Sequence, residues 1–367
     1  MARLDELCTK ASSSIAQKDL IGIDGIYPIY GASGFIQNVD FYLQEEPYIA
    51  IVKDGAGVGR VMVLPARSSV IGTMQCIIPN ENVNINYLAY ALQSMNLAKY
   101  CSGATIPHIY FRDYGKENLP NHSKEEQLYI ALTLGGVDKL IAQRKRQLAL
   151  LEEMVKSRFV EMFGDPVQNP MRWEAEILKK ATTKIGSGAT PKGGKESYQA
   201  DGITLIRSMN VHDGRFEYKD LAHITDEQAK QLDNVTVEEN DVFINITGAS
   251  VARSCIVPKH ILPARVNQHV AIVRCITSML NPVFANQMFL NTSFKGQLLD
   301  IGESGGATRQ AITKQQLEAL TVILPPIELQ TQFAAFVEQT DKSKLAIQAS
   351  LEQLEILKKA LMQKYFG

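Results

Sequence analysis

The stretch VDKLIAQRKRQLALLEEMVKSRFVEMFG, residues 137–164, decides the architecture, because a second version, TDKSKLAIQASLEQLEILKKALMQKYFG, stands at residues 340–367. Asp138-Lys139 falls on Asp341-Lys342, Leu148 on Leu351, Leu151-Glu152 on Leu354-Glu355, Lys156 on Lys359, and Phe163-Gly164 on Phe366-Gly367. The same offset reaches back through Ala131 and Ala334, Gln127 and Gln330, Glu125 and Glu328, and Ile109 and Ile312. It ends on Gly103-Ala104-Thr105 and Gly306-Ala307-Thr308, where 306 − 103 = 203. One register kept across residues 103–164 identifies an internal repeat, which sets the architecture before any motif is read. Upstream the register drifts, as loop insertions would make it. Asp54-Gly55-Ala56 is echoed by Thr247-Gly248-Ala249, and Leu64-Pro65-Ala66-Arg67 by Leu262-Pro263-Ala264-Arg265. Each half is a variable segment followed by a steadier one.

The steadier segments read as long helices. Ile141, Arg144, Leu148, Leu151, Val155, Arg158 and Met162 alternate steps of three and four, the spacing of one helical seam that suits a coiled coil. Ile347, Leu351, Leu354, Leu361 and Tyr365 form the corresponding seam, so the two helices are expected to pack on each other along Ile141, Leu148, Leu151, Val155 and Met162. Gly135-Gly136 predicts a kink near the start of the first helix. Leu119-Pro120 and Leu324-Pro325-Pro326 mark the helix entries. The variable segments look β-rich: residues 48–54, the glycines at 55, 57 and 59, and residues 60–64 read as strand, tight turn, strand. Residues 242–246 and 255–257 are their counterpart. The expected organisation is α+β: a β-rich domain over 1–122, a helix over 123–164, a Pro- and Asn-rich linker over 165–174, a second β-rich domain over 175–325, and a helix over 326–367.

Composition narrows the function. Of 367 residues 45% are apolar and 21% charged, enough for two or three packed domains and unlike collagen or a disordered chain. Thirty-eight Lys and Arg against 39 Asp and Glu leave a net charge of −1, so a nucleic-acid or membrane partner must be met by local patches. Cys8, Cys76, Cys101, Cys255 and Cys275 form no C-x-x-C pair, which speaks against a disulfide framework or a structural zinc site and for a reducing cytoplasm. No window approaches roughly 18 uninterrupted apolar residues, and the first twenty residues are not a signal peptide, so no membrane role is expected.

Motifs that suggest chemistry have better structural readings. Gly55, Gly57 and Gly59 precede a strand, whereas a dinucleotide fingerprint must open a helix. Asn281-Pro282-Val283-Phe284 is similar to the base-gripping motif of adenine methyltransferases, yet the repeat places Asn84-Ile85-Asn86-Tyr87 there, and Asn followed by Pro is a helix N-cap. Asp213, Glu217 and Lys219 loosely match a nuclease metal set, but residues 212–215 are a better hairpin turn. Cys101 and His108 lack a third group to orient the imidazole, and the other histidines have no ligand spacing. No catalytic residue and no metal ligand are therefore assigned. What survives is binding. Lys53, Arg60, His108 and Arg112 in the first variable segment, and Lys192, Lys195, Arg207, Asn210, Arg253, Arg309 and Gln310 in the second, sit at loop and turn positions. Such side chains reach phosphates and base edges, Arg on guanine and Asn or Gln on adenine.

Taken together, the chain resembles the specificity subunit of type I restriction-modification systems. The resemblance rests on residues 27–34 (YPIYGASG), on Lys53-Asp54-Gly55, on the loops at 102–105 and 305–308, and on the Phe163-Gly164-Asp165-Pro166 exit with Asn169 and Trp173. It implies two target recognition domains that each read one half of a split double-stranded DNA sequence. It further implies two antiparallel helices that space the domains and dock two modification subunits, with S-adenosylmethionine and the catalytic residues on those partners and no cofactor in this chain. Restriction subunits would complete the phage-defence complex. The chain opens directly in the first recognition domain, and a compact circular layout is expected. A helix over 137–163 is about 40 Å long, close to the roughly 34–36 Å of one DNA turn. The alternatives are an assembly protein that binds no DNA and a stand-alone DNA adenine methyltransferase.

Overall fold

A computed structural model describes residues 1–103, 106–191, 193–303 and 310–367, with the backbone alone at 195. Two compact units are present, one of residues 1–146 with 347–367 and the other of residues 147–346. The division falls inside the long helices Lys124–Phe163 and Ile327–Phe366, so each unit holds one half of each helix, rather than at their ends where the sequence divides the chain.

The first helix starts well before the seam that reveals it. Ser123 and Glu126 form a reciprocal cap, Glu126 Oε2 accepting from the Ser123 N–H at 2.8 Å and Ser123 Oγ from the Glu126 N–H at 3.2 Å. The expected kink does not interrupt the helix: Gly135 and Gly136 lie within an unbroken run, where the buried Leu134 and Val137 on either side hold the turn in place. Every seam residue expected to pack is buried or half-buried. The seam is also wider than the spacing suggests, since Phe159 and Phe163, each one residue past Arg158 and Met162, lie deepest. In the second unit Phe163 packs edge-on against Phe284 and Phe333, with ring centroids at 4.8 and 5.5 Å. Burying one such ring contributes about 1.5–3 kcal/mol.

Within each unit the two half-helices run antiparallel. In the first, Asp138 pairs with Lys358 and Lys145 with Glu355, so higher numbers on one helix meet lower numbers on the other. Ile130, Ala131 and Leu134 share a core there with Leu361, Met362, Tyr365 and Phe366. In the second, Val155, Phe159 and Phe163 share a core with Phe333 and Val337.

The repeat extends through the variable segments. The first unit has a four-stranded antiparallel sheet in the order Cys8–Ser12, Met74–Pro79, Tyr48–Val52, Val61–Leu64, and a three-stranded sheet in the order Gly34–Val39, Tyr27–Gly31, Ser69–Val70. The second unit repeats both, as Thr182–Ser187, Val270–Cys275, Val242–Asn245, Ser254–Ile256 and as Ala222–Ile224, Ile203–Ile206, Ala264–Val266. In both small sheets the last strand joins in parallel. The central strand Tyr48–Val52 is buried throughout and Val242–Asn245 likewise, which explains their nearly unbroken apolar composition.

The echo of Leu-Pro-Ala-Arg does not mark equivalent places. Ser69 and Arg265 hold the same ladder position, an offset of 196 (265 − 69), whereas the echo needs 198 (265 − 67). Arg67 is an exposed partner of Glu45, while Arg265 is buried in a strand and bonded to Asp233. Residues 165–174 form no slack linker. Gly164 takes φ +74°, the Asp165 carboxylate accepts from the Val167 and Gln168 N–H groups at 2.9 Å, and Trp173 Nε1 donates to the Phe163 carbonyl at 3.1 Å. All five cysteines are free. Burial pushes the Cys8, Cys255 and Cys275 thiols up to about 12 and Cys76 to about 11, so they stay protonated and unreactive. Among the described residues no helix is long and apolar enough to cross a membrane, and no group of side chains could hold a metal ion.

Candidate nucleic-acid interface

The same short loop leaves the central strand of each four-stranded sheet. In the first unit Val58 N donates to Gly55 O, Arg60 N to Gly57 O, Gly59 N to Val52 O and Val52 N to Arg60 O, at 2.9–3.3 Å. The second unit repeats all four bonds at 2.8–3.2 Å, with Val251 to Gly248, Arg253 to Ser250, Ala252 to Asn245 and Asn245 to Arg253. Gly55 and Gly248 share φ +81° and +74°, and Gly59 and Ala252 φ +85° and +65°, so the two backbones follow one path. These glycines shape the turn. Each loop ends in an arginine, Arg60 and Arg253 being equivalent residues.

A second segment lies beside each loop. Gly55 N donates to Pro107 O and Ile109 N to Lys53 O, both at 3.0 Å. Gly248 N donates to Gln310 O at 2.9 Å and Ile312 N to Ile246 O at 2.8 Å, the same two bonds. In sequence these segments follow the Gly-Ala-Thr stretches at 103–105 and 306–308, of which Ala104, Thr105 and all of 304–309 lie outside the described residues.

On this common frame the side chains differ. Where the first unit has Lys53, Asp54, Thr73 and His108, the second has Ile246, Thr247, His269 and Ala311. His108 Nδ1 meets the Asp54 carboxylate, and the ring lies against Tyr110 at 4.0 Å. Arg112 stacks on the other partner of this group, its guanidinium 4.5 Å from the Tyr110 ring centre. Lys53, Arg60, His108 and Arg112 are thus brought together around one loop pair. Arg60 is exposed and donates through Nη1 to the Ala32 carbonyl at 2.8 Å, which orients it over the loop.

In the second unit Thr247 and His269 Nδ1 are hydrogen-bonded, so an imidazole reaches the same loop from a different segment, the turn that enters the strand Val270–Cys275. Arg253 is half-buried and enters no ion pair among the described residues. Gln310 donates to the Glu303 carboxylate at 2.8 Å.

The remaining expected binders divide. Asn210 is completely buried, with its amide donating to the Glu217 carbonyl at 3.0 Å and its oxygen accepting from the Arg207 N–H at 3.1 Å. It ties down the Val211–Phe216 hairpin and cannot reach a base, which corrects the sequence expectation. Arg207 is half-buried, lies 5.4 Å from the Tyr198 ring centre and donates to the Asp220 carbonyl, so much of it serves packing. Lys192, the side chain of Lys195, and Arg309 lie outside the described residues. The residues around 212–215 form the hairpin, with Val211–His212 paired to Arg215–Phe216 and Gly214 at φ +70°. Asn84 and Asn281 are N-caps, each accepting two backbone N–H bonds at 2.9–3.3 Å.

Spacing alone does not single out Tyr110, Thr190, Gln268 and His269. They are linked by contacts instead: Tyr110 touches His108, His269 bonds Thr247, and Gln268 joins His269 to Thr190.

The family model described as "Type I restriction modification DNA specificity domain" matches residues 1–153 and 180–356. The MjaIX specificity subunit of a type I restriction enzyme from Methanocaldococcus jannaschii is 25% identical over 311 residues, covering 78% of this chain and 69% of that protein. The EcoAI specificity subunit from Escherichia coli is 28% identical over 200 residues, 52% of this chain and 32% of that one. A crystal structure of a type I restriction-modification S subunit from M. genitalium aligns with 100% of the chain and 95% of its own at a TM-score of 0.67, with 15% identity, a likeness of fold.

Proposed function

Because the chain belongs to the type I restriction-modification DNA specificity family, we propose that each of its two units reads one half of a split double-stranded DNA sequence. One observation carries this reading: the same loop frame stands once in each unit, with the same arginine and different neighbours. Two readers of unlike half-sites share the backbone of the duplex and differ in the bases they meet. Arg60 and Arg253, common to both, suit phosphate, and the side chains that differ around them suit base edges.

On this reading the chain itself does no chemistry. Two modification subunits carry S-adenosylmethionine and the catalytic residues, and restriction subunits join them in the cytoplasm. The long helices supply the docking surfaces: Leu128, Tyr129, Leu132 and Ile356 in the first unit, and Leu150, Met154, Val160 and Leu345 in the second, are apolar and exposed. A net charge of −1 agrees with this division, since the assembled complex, not the isolated chain, would supply most of the affinity.

The test exchanges residues 1–120 for those of a relative and maps the methylated positions in host DNA. One half of the recognised sequence changes and the other stays. An unchanged methylation pattern refutes the proposal.

A further inference from the structure

Gln268 is exposed, yet its side chain is held at both ends of the amide. Thr190 Oγ1 donates to Gln268 Oε1, and Gln268 Nε2 lies 3.1 Å from His269 Nε2. The other ring nitrogen of His269, Nδ1, is hydrogen-bonded to Thr247 Oγ1. The amide is thus held in a run of side chains, Thr190, Gln268, His269 and Thr247, with one bond to its oxygen end and one to its nitrogen end.

The backbone beneath it is equally fixed. Asn267 is buried, its N–H donates to the Ile206 carbonyl at 3.0 Å, and its side-chain oxygen accepts from the His269 N–H at 3.0 Å. A surface glutamine ordinarily loses rotamer freedom when it binds; this one has already lost it.

Counting what is left identifies the ligand. After these two bonds Oε1 keeps one lone pair and Nε2 keeps one N–H, an acceptor and a donor side by side on a rigid exposed group. Adenine presents the complement in the major groove, a donor at N6 and an acceptor at N7. The first unit has Gly72 at the equivalent place, its N–H bonded to the Ile15 carbonyl at 2.7 Å, so nothing similar exists there.

We infer that Gln268 is a specificity-determining residue of the second unit, which reads an adenine in that unit's half of the target, with Thr190 as a positioning residue. The inference rests on the function proposed above.

It is tested in the complex with the modification subunits of its own system, by methylation of a library of DNA targets. Gln268→Ala relaxes one adenine position in one half of the target, by about 5- to 150-fold in discrimination, and leaves the other half intact. Gln268→Glu keeps the shape but replaces the donor by an acceptor, so the preference at that position moves from adenine to cytosine, whose N4 amine donates. Thr190→Val relaxes the same position by a smaller factor, and Thr190→Ser restores it. Overturning results are a half-site without adenine, or a Gln268→Ala complex whose methylation falls equally on all sequences or keeps the wild-type preference. If the wild-type complex selects no split target at all, the proposed function fails instead.

Discussion

Arg60 and Arg253 illustrate how much a single side chain's role depends on comparison within the molecule. Each ends a loop with the same four backbone bonds, and each is an arginine although the residues around them have diverged. A phosphate contact predicts a specific result for Arg253→Ala: affinity of the assembled complex falls alike for all DNA sequences, and the slope of log K against log salt shrinks by about one. Titrating binding at several salt concentrations checks it, and relaxation at a single base would make Arg253 a base reader. Asn210 marks the opposite outcome. An asparagine in a turn-rich segment is chemically suited to adenine, yet its amide closes a hairpin, because burial demands that every polar atom find a partner. Residue type alone could not separate Asn210 from Gln268; burial does, since Asn210 is enclosed while Gln268 is exposed.

At the level of elements the long helices were the most readable part, since a seam every three or four residues has one structural meaning. Their lateral extent was less so. Phe159 and Phe163 belong to the core because Phe284, from the short helix Pro282–Leu290, meets both rings from a second side, which a seam written for two helices omits. Gly135-Gly136 leaves the helix unbroken, because intrinsic preference is weak beside the packing of Leu134 and Val137. Gly136 keeps helical geometry, and a Cβ there would meet nothing within 4 Å. Gly136→Ala should therefore raise stability by about 0.5–1 kcal/mol, seen as a higher denaturant midpoint at unchanged slope. A loss of stability would show that the helix needs the glycine's freedom.

For the whole molecule the balance of charge has a measurable consequence. With 38 basic and 39 acidic side chains, the isolated chain should hold DNA weakly, and the complex with modification subunits should show the steeper dependence on salt, because counterion release follows the phosphates neutralised. Equal slopes for chain and complex would place the basic surface here instead. The order of variable and steady segments, the duplication, the helices and the turn character of Gly55–Gly59 all follow from local spacing, which the chain carries in its own periodicity. The pairing of strands, the common frame of the two arginine loops, the arrival of His269 at the second loop where the first has His108, and the held amide of Gln268 do not, because each depends on contacts between segments distant in the sequence. Those contacts exist only once the sheets are assembled, when burial selects one partner for each polar group among the many that the sequence would permit.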